Sequence, residues 1–335
     1  MSPKIIAVVG ATGNQGSSVV NTFLQTPNWT VRALTRNTSS PAAQALASKG
    51  CEVVRADLED PASLEDAFRG VHAIFLNTDF WIPYIKAVHS GSYSREEASR
   101  VAFDTEVRHA KNATDAAVRV ASDTLERLVY SALGPMKDAS GGKFPHCQHW
   151  NTKALAADYI EAALPGKASF IYPGAYSTNA FLLPQKYPHL QAEGVPEYTL
   201  LVPGPDTTRF PIIREAESMG PFVRPLIEEE DPGVKLLAYD CDVPFSQALE
   251  DWKAVTGKDV RFLQVTEEEM HRDTGLPYEV LDGPAFLAEY DFMAGVKGRV
   301  IRPEDLKSRV PVKTYREILE ARPLKDLLES VHPKF

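Results

Sequence analysis

The chain has little of what would mark a secreted, membrane-bound or nucleic-acid-binding protein. Only 3 of its 335 residues are cysteine. Cys51, Cys147 and Cys241 are odd in number and far apart, so they suit free thiols in a reducing compartment rather than a disulfide framework. No run approaches the roughly 18 consecutive apolar residues of a membrane-spanning helix. The opening MSPKIIAVVG carries five apolar residues before Gly10 and no cleavage-type pattern behind them; it reads as a buried first strand, not a signal peptide. Basic charge is in deficit, with 36 Lys and Arg against 45 Asp and Glu, a net of −9. Such a surface offers no electrostatic footprint to nucleic acid and no basic face to an anionic membrane. His146-Cys147-Gln148-His149 has no second ligand pair at finger-like spacing, so no metal is expected. The location these absences suggest is cytoplasmic.

What is present is an alternation of strand and helix signals. Hydrophobic residues make up 44% of the chain and charged residues 24%, ordinary globular proportions, and the length allows about two domains. Strands are expected over Ile5–Val9, Thr30–Leu34, Cys51–Val54, Ala73–Asn77, Leu125–Ser131 and Ala168–Tyr172. Helices are expected between them, over Ser17–Leu24, Pro41–Lys49, Ala62–Phe68, Tyr93–Val120 and Thr152–Ala163. Strands separated by helices of this length imply an α/β chain with a parallel, doubly wound sheet. After about Ala180 prolines cluster, from Pro184 to Pro225, and repeated breakers imply a loop-rich segment. Two later helices are expected there, Pro244–Thr256 and Thr314–Glu320.

Gly10-Ala-Thr12-Gly13-Asn14-Gln15-Gly16 lies between the first strand and the first helix. Gly10 suits the tight turn, Gly13 the approach of a diphosphate to the backbone, and Gly16 close packing of helix on strand. The helix N-terminus then offers free N–H groups to the phosphates. An NAD site carries an acid about 20 residues further on, for the ribose 2′-hydroxyl. Here Arg36 stands in that place, which favours NADP(H): a guanidinium attracts a 2′-phosphate that a carboxylate would repel. The plain alternative is a solvated surface arginine. Arg32, two residues back, reads as a neighbour or a core-edge residue. The expected organisation is a cofactor-binding domain over 1–180 and a smaller proline-rich lobe over 181–335 closing the cleft. That boundary is approximate, and later elements are free to return to the first sheet.

The glycine loop followed by Ser17–Val20, Thr35-Arg36-Asn37 after strand two and Ala56-Asp57-Leu58 after strand three resemble the NmrA-like family. So do Asn77-Thr78-Asp79-Phe80-Trp81 and Tyr172-Pro173-Gly174-Ala175-Tyr176 with Asn179. That group belongs to the atypical short-chain dehydrogenase/reductases, NADP-binding proteins of Rossmann fold. The resemblance implies that Asp57 and Leu58 border the adenine, and that Asn77 and Thr78 approach the pyrophosphate and nicotinamide ribose. It places Pro173 and its neighbour Tyr172 beside the nicotinamide. For Asp57 a helix-capping role is the alternative.

Reductases of the wider superfamily use a Tyr-x-x-x-Lys pair on one helical face. No tyrosine here has a lysine four residues later. Lys153 fits the lysine position, and His149 stands where the tyrosine would be. Lys153 is expected to hold the nicotinamide ribose, and His149 could donate the proton; the alternatives are a surface lysine and a histidine lining the cleft. Phe80, Trp81, Trp150, Tyr176 and Asn179 are the expected substrate pocket, with plain core as the other reading of the aromatics. Two functions follow. One is an NADPH-dependent reductase of a small aromatic or polycyclic substrate. The other is a redox-sensing co-regulator that binds NAD(P) and a protein partner without turnover, and would also be nuclear. A monomer or homodimer fits either.

Overall fold

Helix starts set the rhythm of the first third of the chain. Ser40 and Asp60 each accept the backbone N–H three residues on, and each is followed by a proline at the first helical position, where its missing N–H costs nothing. The computed structural model describes residues 2–330. In chain order the elements to residue 173 are β1 (Lys4–Val8), α1 (Asn14–Leu24), β2 (Trp29–Thr35), α2 (Pro41–Ser48), β3 (Glu52–Arg55), α3 (Pro61–Phe68) and β4 (Ala73–Leu76). They continue with α4 (Trp81–His89), α5 (Arg95–Ala121), β5 (Arg127–Ser131), α6 (Met136–Ala139), α7 (Gln148–Ala163) and β6 (Ala168–Pro173).

The single helix expected over Tyr93–Val120 is preceded by a second one, α4, because Asp79 accepts the N–H groups of Trp81 and Ile82 and starts a helix there. Ser94 and Glu97 then form a reciprocal capping box that starts α5. Along its 27 residues α5 buries Ala98, Ala102, Ala110, Ala113 and Ala117, small side chains that let α3, α4 and α7 pack closely against it. Three polar residues, Ser99, Glu106 and Thr114, interrupt that stripe, the first two seven positions apart, two turns along one face.

From residue 174 the elements are β7 (Ala175–Tyr176), β8 (Gln185–Lys186), β9 (Tyr198–Val202), β10 (Arg209–Ile213), α8 (Met219–Glu228), β11 (Lys235–Ala238) and β12 (Cys241–Pro244). After these come α9 (Phe245–Thr256), β13 (Val260–Gln264), α10 (Glu267–Thr274), α11 (Tyr278–Leu287), β14 (Val300–Ile301), α12 (Tyr315–Glu320) and α13 (Leu324–Leu328). The two helices expected in this segment are α9 and α12. Of the four unexpected helices there, α8, α10, α11 and α13, two carry prolines inside them, Pro225 in α8 and Pro284 in α11, so counting breakers hid those two.

The central sheet has 8 strands in the order β14-β11-β6-β5-β4-β1-β2-β3. Every pairing in it is parallel. This is the doubly wound α/β sheet expected from the sequence. Strands β11 and β14, from the second half of the chain, extend it beyond β6, while β12-β10-β7 and β13-β9-β8 form two small separate sheets. Helix α8 crosses α1 so closely that a Cβ on Gly220 would lie 2.3 Å from the Ser18 carbonyl oxygen. The Gly220 N–H donates to Ser18 Oγ at that point. One core lies between the sheet and α3, α5 and α7, and another between the sheet and α1 and α8.

Candidate active site

Strand order reverses between β4 and β1, and in open parallel sheets the crevice at such a reversal, beyond the carboxyl ends of the strands, is where ligands bind. The predicted residues collect there, since each follows the end of a strand: Gly10 after β1, Arg36 after β2, Asp57 after β3, Asn77 and Thr78 after β4, Pro173 at the end of β6. Gly10 takes a positive φ of 70°. A Cβ on Gly16 would lie 2.1 Å from the Gly10 carbonyl oxygen, so only glycine lets the helix sit against the turn. Gly13 caps α1 in extended backbone with no side-chain hydrogen bond, and the first turn holds no acidic residue. Thr12, Gly13 and Asn14 are exposed at the tip. The positive end of α1 is therefore bare and suited to an anion. Gln15 is buried, donates from Nε2 to the Tyr176 hydroxyl, and leaves its Oε1 without a partner. An orphaned buried acceptor beside the loop fits a ligand that brings a donor.

Arg36 is exposed and makes no hydrogen bond or ion pair among the described residues. Arg32 differs: it binds the Glu52 carboxylate at 2.8 Å and the carbonyls of Ala67 and Arg69 at 2.9 Å, which makes it a structural tie at the sheet edge. Asp57 is not the helix cap. Its Oδ1 accepts from the Glu59 N–H, and the cap of α3 is Asp60. The Leu58 carbonyl is taken by Asn112. Asn77 is half-buried, with no side-chain hydrogen bond among the described residues.

Lys153 is held from below. Its ammonium lies 2.9 Å from Glu106 Oε1, 2.9 Å from the Thr78 carbonyl and 3.3 Å from Thr78 Oγ1. Glu106 is fully buried and also accepts from Thr78 at 2.8 Å and from Thr152. Thr78 shares a 2.9 Å hydrogen bond with the Tyr130 hydroxyl, whose ionisation burial and the Glu106 charge push well up. Lys153, Glu106, Thr78, Thr152 and Tyr130 thus form one buried polar cluster, in which three protein oxygens surround the ammonium. Glu106 gave no signal in the sequence.

One turn earlier on α7, His149 Nδ1 lies 2.8 Å from Glu279 Oε1. Its ring packs on Trp81 at 5.0 Å and on Phe80 at 6.0 Å, and Tyr84 stacks on Phe80. Trp150 does not join this wall. The helix turns about 100° per residue, which carries Trp150 into the core against Phe292 and Phe286. The Tyr172 ring also lies in that core, so its side chain is not part of the cleft. Tyr176 reaches the glycine loop through Gln15, and Asn179 is half-buried with its N–H on the Tyr176 carbonyl.

Cys147, His149 and Glu279 bring sulfur, nitrogen and oxygen within 4.8 Å of one another. The Glu279 oxygens already hold His149 and Ser99, and the Cys147 thiol, pushed well up by burial, packs against the His149 ring. His146 pairs instead with Asp282 at 3.1 Å. Burial, with Asp282 beside it, raises Glu267 to about 7. The three cysteines are free, and no helix among the described residues is long and apolar enough to cross a membrane. A cavity of about 890 Å³ opens between α5 and α11, lined by Tyr84, Ser99, Phe103, Tyr278 and Glu279 among others. It shares Glu279 with His149, but neither the glycine loop nor Lys153 lines it.

A parallel sheet with a glycine turn and a bare helix end at its reversal defines a dinucleotide-binding type of α/β protein. The model of the NmrA-like family matches residues 2–289, and the chain belongs to that family. It is 28% identical over 287 residues to the NmrA-like family domain-containing oxidoreductase cpsB of Aspergillus campestris, covering 82% of this chain and 79% of that one. Against the NmrA-like family domain-containing oxidoreductase FrzB of a Cladobotryum species it is 36% identical over 155 residues, 46% of this chain, and that match spans only 40% of the relative's length. Among solved structures, NmrA, described as a negative transcriptional regulator, superposes with a TM-score of 0.67 at 18% identity, covering 95% of each chain. The NADPH-dependent quinone oxidoreductase QOR2 of Escherichia coli, complexed with NADPH, gives 0.66 at 19% identity, over 94% of this chain and 98% of that one.

Proposed function

We propose that this protein is an NADPH-dependent oxidoreductase acting on a small aromatic or polycyclic substrate. The observation that carries the reading is His149, 17% exposed, one turn from Lys153 and walled by Phe80 and Trp81. Family relatives described as oxidoreductases support it, as does the fold shared with an NADPH-bound quinone oxidoreductase. The exposed loop tip and the α1 N-terminus would hold the diphosphate, Gln15 Oε1 would meet a donor of the cofactor, and Arg36 the 2′-phosphate. Bound there, NADPH supplies a hydride. Lys153, ion-paired with Glu106, places positive charge at the ribose side, and His149 is the proton donor. The free thiols fit a cytoplasmic setting.

Arg36→Asp is expected to erase an NADPH-over-NADH preference of about 10- to 150-fold, the range of one charge-assisted hydrogen bond. Calorimetric titration with both cofactors reads it, and an unchanged ratio would remove Arg36 from the site. For the reaction, NADPH consumption is screened against aromatic ketones, quinones and imines. In His149→Gln, whose amide still offers Glu279 a donor, the rate on any accepted substrate is expected to fall about 100-fold with cofactor affinity unchanged.

One observation favours the second reading, a redox-sensing regulator: the Lys153 ammonium is fully engaged by Thr78 and Glu106. Tight NADPH binding with no turnover on the whole screen would establish that reading in place of the first.

A further inference from the structure

We infer that Glu279, seated by Ser99, is a positioning residue that fixes His149 with its proton on Nδ1 and leaves Nε2 as the working nitrogen of the ring. Glu279 comes from the first turn of α11, 130 residues further along the chain, and is 5% exposed. Its Oε1 accepts both the backbone N–H and Nδ1 of His149, each at 2.8 Å. Its Oε2 accepts from Ser99 Oγ at 2.7 Å. A carboxylate that holds the main chain and the ring of one histidine fixes the imidazole in place and in tautomer, because a carboxylate only accepts. Cys147 Sγ lies 3.5 Å from Nδ1 and 3.8 Å from Nε2, nearly equidistant, so it packs against the ring rather than capping either nitrogen.

The catalytic consequence rests on the oxidoreductase reading; the tautomer does not. As a C=O or C=N carbon accepts hydride, the π pair moves to the heteroatom, which takes the proton from Nε2 of the imidazolium. The nicotinamide carrier is oxidised by the same two electrons. The ring is left neutral in the tautomer that Glu279 already holds, and solvent restores the proton. Without Glu279 the neutral ring would favour Nε2–H, as unconstrained histidine does, and nothing would hold its Nε2 aimed at the substrate.

The test is nitrogen NMR of the full chain labelled at histidine, recorded at alkaline pH, with His149→Gln assigning the resonance. The wild type is expected to show a protonated Nδ1 and a bare Nε2. Glu279→Leu should shift the ring towards Nε2–H and lower kcat about 10-fold or more, with KM and cofactor affinity held within about twofold. Glu279→Gln, whose amide oxygen still accepts, should keep the tautomer and most of the rate. A wild-type ring protonated on Nε2 overturns the inference without need of any variant. So does a Glu279→Leu ring identical to wild type. An Nδ1–H ring in a protein that turns over nothing supports the positioning and overturns only the oxidoreductase reading.

Discussion

Gly13→Val is expected to abolish dinucleotide binding while leaving the fold standing. Gly13 sits in extended backbone, φ −87° and ψ 172°, which valine adopts without strain. Within the protein its Cβ would meet only the Gly10 carbonyl oxygen, at 3.4 Å. The added methyl groups therefore fall at the mouth of the loop, where a diphosphate would lie against the N–H groups of α1. Losing those charge-assisted contacts weakens binding by about 3 kcal/mol or more, over 100-fold in Kd. Calorimetry should register no binding in the usual micromolar range, with thermal unfolding near wild type. Gly16→Val makes the contrast: its Cβ has nowhere to go, 2.1 Å from the Gly10 oxygen, and that variant should lose stability as well as binding. Wild-type affinity in Gly13→Val would put the phosphate cradle elsewhere.

The second large effect is on stability. Lys153→Ala should cost about 3–5 kcal/mol, the range for removing one member of a buried ion pair. Glu106 has no exposed surface, and among the described residues its one cationic partner is Lys153 at 2.9 Å. Deleting the ammonium leaves the carboxylate with two threonine hydroxyls and no countercharge. Chemical denaturation measures the loss. The double variant Lys153→Met with Glu106→Leu should recover most of it, since a buried pair replaced by apolar side chains of similar size is often neutral or better. A loss below about 1 kcal/mol in the single variant would mean that water reaches Glu106 and screens it.

Local geometry was readable in the sequence, and tertiary pairing was not. The glycine loop could be read because two of its three glycines answer a backbone demand within seven residues of chain. Positive φ at Gly10 and the close approach at Gly16 are both present. His149 and Lys153 could be found from helical spacing alone. Glu106 could not, because in a 27-residue helix rich in charge one buried glutamate spells the same as its exposed neighbours. Glu279 lies 130 residues from His149, and no spacing rule reaches across that distance. Trp150 falls outside the pocket because adjacent residues on a helix point about 100° apart, so standing next to His149 in sequence does not bring it to the same face. Helix α10, not expected from the sequence, starts at a Thr266–Glu269 capping box whose Thr-x-x-Glu pattern the counting of breakers overlooks. Helix α11 contains Gly283-Pro284; the glycine has no Cβ for the proline ring to strike, which lets the helix pass through.

The crossing of α1 and α8 bears on how this protein could be re-engineered. Gly220 and Ser18 lock the helix that offers its N-terminus to phosphate against one built 200 residues later, and β11 and β14 extend the sheet that both lie on. Exchanging the chain beyond residue 180 for a relative's, in order to borrow its substrate range, would replace two sheet strands and half of that helical clamp. A workable chimera therefore keeps 219–238 and 300–301 native and transplants only the stretches around them. The interchangeable part of this molecule is interleaved with its scaffold rather than appended to it.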